Sequence, residues 1–115
     1  MKKSIIISTI LIGLAVGGCS QSTPKCGSDD ATDLVKEISG REMAAQLGSE
    51  AAKLISYSVN AIRTTHEDNA TGSYDCAAQL GITASNTGIT NEIPITYTVE
   101  RTDDGEQFFV NVFGL

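Results

Sequence analysis

The chain has no tryptophan, one histidine (His66), two prolines, and eight basic residues against fourteen acidic ones. Each scarcity bears on a class of function. A structural zinc site takes four Cys or His ligands at close spacing, and a lone imidazole without any Cys-x-x-Cys pair does not supply them. Phosphate backbones need a basic footprint, so a formal charge of −6 argues against nucleic acid as a partner. The same balance argues against a basic patch resting on anionic lipid. No apolar run reaches the roughly 20 residues that a helix needs to cross a bilayer.

What is present starts at the N-terminus. Lys2 and Lys3 precede an apolar stretch from Ile5 to Val16, and small residues lead to Cys19, the layout of an export signal. Val16-Gly17-Gly18-Cys19 resembles the lipobox of bacterial lipoproteins, with Val16 where leucine is commoner. That resemblance implies that residues 1–18 are a signal peptide removed at Gly18. It also implies that Cys19 carries a thioether-linked diacylglycerol and an acylated, palmitate-type amine. Two or three acyl chains hold durably at ~0.8 kcal/mol per buried methylene, where one binds only marginally. Ser20 after the cysteine, by analogy with the enteric sorting signal that uses aspartate there, implies transfer to the outer membrane, facing the periplasm.

Loss of residues 1–18 removes Lys2 and Lys3 and leaves six basic and fourteen acidic residues, a balance of −8. Such a surface suits a cationic protein partner, although solubility alone also accounts for it. With Cys19 taken by lipid, Cys26 and Cys76 remain as an even pair in an oxidising compartment, and they are expected to bond. Closing a loop of about fifty residues removes roughly 4 kcal/mol of unfolded-state freedom in the chain-entropy model. Residues 19–25, with Pro24, read as a lipidated tether spanning at most ~25 Å when fully extended. Residues 26–115 are then a single small domain working close to the membrane.

The domain reads as α+β. Asp29, Asp30 and Asp33 suit the start of a helix, and Leu34, Val35 and Ile38 give it one apolar face. Ser39-Gly40-Arg41-Glu42 matches a capping box, so the helix is expected to bend or split at Gly40. Met43, Ala44, Leu47, Ala51 and Leu54 continue an apolar stripe read as core. Beyond Leu54 the period becomes 2. Ile55, Tyr57, Val59 and Ala61 alternate with polar residues, then Tyr74, Cys76, Ala78, Leu80 and Ile82, then Ile93, Ile95, Tyr97 and Val99. Thr102-Asp103-Asp104-Gly105 is a turn signal before a last strand ending at Phe113. Four antiparallel strands in a meander follow, over about 54–65, 73–84, 93–101 and 106–113. A helix followed by such a sheet resembles the cystatin-like layout, by element order alone, and fold does not carry function.

Along the last strand one face carries Phe108, Val110 and Val112, the other Phe109, Asn111 and Phe113, with Leu115 beyond. If the first face is core, Phe109, Phe113 and Leu115 form a possible partner surface. Wrapping by sheet curvature, or the opposite choice of inner face, would make them part of the packing instead. His66 with Glu67, Asp68 and Asp75 contains the ingredients of a general base or metal site, but no nucleophile is fixed beside it, and the spaced acidic loop of a calcium site is missing. No catalytic residue, metal or cofactor is therefore expected. The expected function is a membrane-anchored, non-enzymatic protein-binding module of the immunity, inhibitor or exclusion type. The alternative is an accessory subunit of an outer-membrane secretion or assembly complex.

Overall fold

The computed structural model describes residues 23–115. The signal peptide, the lipobox and Cys19 lie outside the described residues. Ser28 caps α1 (Asp29–Leu47), its hydroxyl accepting from the Ala31 N–H at 3.3 Å, and Asp29 and Asp30 occupy the first turn. There a carboxylate meets the positive end of the helix dipole. Ala31, Val35 and Ser39, at steps of four, are the buried residues of α1 and lie on one helix face.

The bend expected at Gly40 is absent. Ser39 is fully buried and turns its hydroxyl back to the Val35 carbonyl at 2.7 Å instead of capping a new helix. Gly40 continues α1, and a Cβ there would only touch the Tyr57 ring at 3.7 Å. The break comes eight residues later at Gly48, whose φ of 91° ends the helix while its N–H bonds the Ala44 carbonyl. A single short turn, α2 (Ser49–Ala52), follows.

The second half of the apolar stripe is also not core. Met43 and Ala44 are half-buried, but everything from Ala45 to Ala51 is exposed, and Leu47 and Leu54 are 54% and 46% exposed. The helix packs on the sheet through its first turns and then runs past it, so spacing alone overstated how much of the stripe has something to cover it.

The sheet has four strands in the order β1 (Ile55–Asp68), β2 (Ser73–Ala84), β3 (Thr90–Arg101) and β4 (Phe108–Phe113), all antiparallel. It is an open meander, and the approach of α1 is closest to its two edge strands, β1 and β4. Its inner face supplies the core: Cys76, Ala78, Leu80, Ile95, Tyr97 and Val99. Phe108, Val110 and Val112 pack against it from β4. β1 departs from simple alternation. Asn60 pairs with Gln79 but Arg63 with Ala77, so the strand carries an extra residue. Ala61 absorbs it at φ 53° and is exposed, and Ile62 takes the inward position that alternation assigned to Ala61.

Cys26 and Cys76 are disulfide-bonded, with a Cα–Cα distance of 5.8 Å. Cys76 lies directly across from Tyr97 on β3, and the Tyr97 hydroxyl donates to the Cys26 carbonyl at 2.6 Å. One residue ahead of the helix is thus held by two adjacent strands, covalently by β2 and by a buried hydrogen bond from β3. Burial raises the Tyr97 phenol above its ordinary value of 10.0.

Candidate docking face

The clasp at Cys26 also fixes where the chain enters the fold. Thr23 is buried, and a Cβ on Gly72 would stand 3.1 Å from both the Thr23 Oγ1 and an Arg101 guanidinium nitrogen. The N-terminal segment therefore enters between the β1–β2 turn and the end of β3. The β2–β3 turn is at the opposite end, where the Ser85 N–H bonds the Leu54 carbonyl at 2.7 Å.

With the helix covering one side of the sheet, the other side faces outward. Across its middle runs a row in ladder register: Arg63 on β1, Ala77 on β2, Thr96 on β3 and Phe113 on β4. Ala77 is nearly buried between its taller neighbours, and with Pro94 and Gly114 the row lines a shallow depression of about 270 Å³. The next row toward the N-terminal end is Asp75, Thr98 and Asn111, in which the Asn111 amide donates to the Thr98 hydroxyl at 3.3 Å. Phe109, opposite Glu100, completes the edge. Phe109 and Phe113 are 51% and 56% exposed, and Leu115 is 38% exposed. Phe109 and Phe113 share the outer face of the last strand, whose other positions are mostly polar or small, and Leu115 lies beyond the strand's end, after Gly114 at φ 104°.

Gly81 belongs to the same face and is needed there for space. A Cβ at that position would collide with the Ser58 hydroxyl and stand 3.2 Å from the Asn60 amide nitrogen. Asn60 in turn bridges Ser58 at 3.0 Å and Glu92 at 3.1 Å. The Asn60–Glu92 bond reaches from β1 to β3 across β2.

The residues weighed for chemistry do not assemble. His66 lies opposite Asp75 on the β1–β2 ladder, and both are exposed. Asp68 spends its carboxylate on its own turn, accepting from the Ala70 N–H at 3.0 Å and the Thr71 N–H at 3.3 Å. Among the described residues, no group of three His, Cys, Asp or Glu side chains is placed to hold a metal ion. The Asp103-Asp104-Gly105 sequence is a turn. Asp104 accepts from the Thr102 hydroxyl at 2.6 Å and the Glu106 N–H at 3.0 Å. The Thr102 bond chiefly, and then the Glu106 amide, hold its carboxyl below the ordinary value of 3.8.

A second apolar feature was missed in the sequence. Leu47, Leu54 and Ile89 are exposed where α1 ends, where β1 begins and in the β2–β3 turn, and Ile89 is 61% exposed. Leu47 and Leu54 fit a core period too well to be suspected. The available signal was Gly48 directly after Leu47, which stops the helix before the stripe is complete. Comparison of the chain with protein-family models, with curated proteins and with solved structures finds no match in any of the three.

Proposed function

We propose that this chain is a lipoprotein held to the outer membrane, on its periplasmic side, by acyl chains on Cys19. In this reading its domain is a non-enzymatic protein-binding module of the immunity, inhibitor or exclusion type. The observation that carries the binding role is the pair Phe109 and Phe113, each about half exposed on a sheet face whose other positions are mostly polar or small. Aromatic rings presented this way contribute binding area without any cost to the core. The cystatin-like layout belongs to this proposal as well, on element order alone.

Three features support the reading. The disulfide and the Tyr97 hydrogen bond make the domain rigid just where the tether begins, so a partner meets a preorganised surface. The face that carries the rings is free of the helix. The acidic balance of the chain favours the approach of a basic partner.

The test is capture of partners from envelope extracts on the full chain and on Phe109→Ser/Phe113→Ser, together with mass spectrometry of the mature N-terminus. The expected result is an acylated Cys19 and a partner lost from the double variant while the melting temperature is unchanged. A basic secreted enzyme or toxin as that partner supports the inhibitor or immunity reading, and envelope-complex subunits support the accessory-subunit alternative. An unacylated N-terminus overturns the anchor. A partner set identical for both proteins overturns the docking face.

A further inference from the structure

The two edges of the sheet, unpaired among the described residues, are guarded differently. β1 carries register shifts between Asn60 and Arg63 and between Thr64 and His66, with Ala61 at positive φ and Arg63 and Glu67 along its length. Bulges and charges are the devices that keep an edge strand from pairing with another chain. β4 has neither. Phe108 to Phe113 pairs with β3 in unbroken register and contains no proline and no ionisable residue. Among the described residues, no strand occupies its other side.

The segment Phe109-Val110-Asn111-Val112-Phe113 reads the same in both directions. Two identical strands pairing antiparallel are related by a two-fold axis through a pair of directly opposed residues, and every contact then occurs twice. We propose that β4 pairs with β4 of a second copy of this chain about an axis through Asn111, joining two four-stranded sheets into one of eight strands. In that register Phe109 of each copy stands opposite Phe113 of the other on the outer face. Val110 stands opposite Val112 on the inner face, and the two Asn111 side chains meet at the axis.

The register is selective. Moving the axis to Val110 sets Phe109 against Asn111 and Phe113 against Gln107. Moving it to Val112 sets Phe113 against Asn111 and Phe109 against Leu115. Only the Asn111 axis brings all four half-exposed rings into cross-strand aromatic pairs, the kind that stabilise an antiparallel sheet. The overall acidity of the chain opposes self-association at long range, but the uncharged strand brings no like charges face to face at the seam.

The seam is small. A six-residue edge with its rings falls short of the ~1,200–2,000 Å² that a stable interface buries. Pairing is therefore weak in dilute solution and strengthens where copies are concentrated, as on a shared membrane. This inference goes beyond the proposed docking role and does not require it, since the register follows from the strand itself.

Cysteine cross-linking of the full chain tests it. Directly opposed residues in antiparallel strands have Cα atoms about 4.5–5.5 Å apart, inside the range a disulfide bridges. Phe109 of one copy and Phe109 of the other are offset by four residues, roughly 13 Å, and lie outside that range. Under mild oxidation with copper-phenanthroline, Asn111→Cys should form a disulfide-linked dimer, both in envelope fractions and in a concentration series of purified protein. Phe109→Cys alone and Phe113→Cys alone should stay monomeric, and a mixture of the two should link. Mapping of the linked peptides confirms the site, and an intact Cys26–Cys76 bond in each variant confirms the fold. Absence of the Asn111→Cys dimer overturns the pairing. Equal linking at all three positions also overturns it, as random collision.

Discussion

Two tyrosines in this fold should respond in opposite ways to the loss of one oxygen atom. Tyr97 is fully buried and its hydroxyl donates to the Cys26 carbonyl. Tyr57 also has a buried hydroxyl, but among the described residues that oxygen has no hydrogen-bond partner. Tyr97→Phe keeps the ring and leaves a buried carbonyl unpaired, which costs about 1–3 kcal/mol. For a domain of this size that lowers the melting temperature by roughly 5–20 °C. Tyr57→Phe removes a group already desolvated without compensation, so it should leave stability unchanged or raise it slightly.

Urea denaturation followed by circular dichroism, with the disulfide kept oxidised, measures both differences under one protocol. Alkaline titration adds a second reading. Burial raises the phenol of Tyr97 above 10.0, so above pH 10 the unfolded chain ionises while the folded one resists. The stabilisation is present in full below pH 10 and is lost as pH rises through the folded value. Tyr97→Phe should soften this alkaline decline. A Tyr97→Phe protein as stable as the parent, or a Tyr57→Phe protein that loses as much, would refute the assignment of the clasp.

Reduction of Cys26–Cys76 should cost up to about 4 kcal/mol from its loop of fifty residues, read as a fall in urea midpoint on adding a phosphine reductant. Gly81→Ala should destabilise by roughly 1–3 kcal/mol through overpacking against Ser58. In a Ser58→Ala background most of that loss should disappear, because the Ser58 Cβ stands an ordinary 3.7 Å from the added methyl. Asp104 has a lowered carboxyl pKa through Thr102 and the Glu106 amide, so its support of the β3–β4 turn is complete above pH 3.8 and is lost as pH falls through the lower folded value. The Glu106 amide resonance should move in that acid range, and Asp104→Asn should abolish the movement. Leu47→Glu should change the melting temperature little, since the side chain is largely in water, whereas Val35→Ala should cost about 1–3 kcal/mol.

Strand patterning was the most legible level of the sequence: β3 buries Ile95, Tyr97 and Val99 in strict alternation, and β2 turns Cys76, Ala78 and Leu80 inward, although its small outer residues Ala77 and Gly81 are buried as well. The pair Cys26 and Cys76 followed from parity and was found bonded. Three details were hidden for separate reasons. Ser39 looks like a cap until its burial is known, since the same hydroxyl serves the i−4 carbonyl equally well. Leu47 and Leu54 keep helical spacing past the point where the sheet ends, and a period records which face a residue shares but not how far the covering layer extends. Ala61 carries no sign of a bulge, because alanine tolerates either face and its positive φ is imposed by the pairing of Arg63 with Ala77. As for the outer face, alternation placed Phe109 and Phe113 on one side, and the fold shows that side to be the one away from the helix.

The bond between Cys26 and Cys76 also decides how the molecule carries load. Tension entering from the residues before Cys26 passes straight across the sulfur bridge into the first third of β2. The helix and β1 lie outside that covalent route, inside the loop that the bridge closes. When the domain is stretched between its ends, only the chain after Cys76 can be drawn out, beginning with β3 and β4. Reducing the bridge would lengthen the extensible portion by the whole enclosed loop, a change that a single-molecule pulling trace would record as an added step.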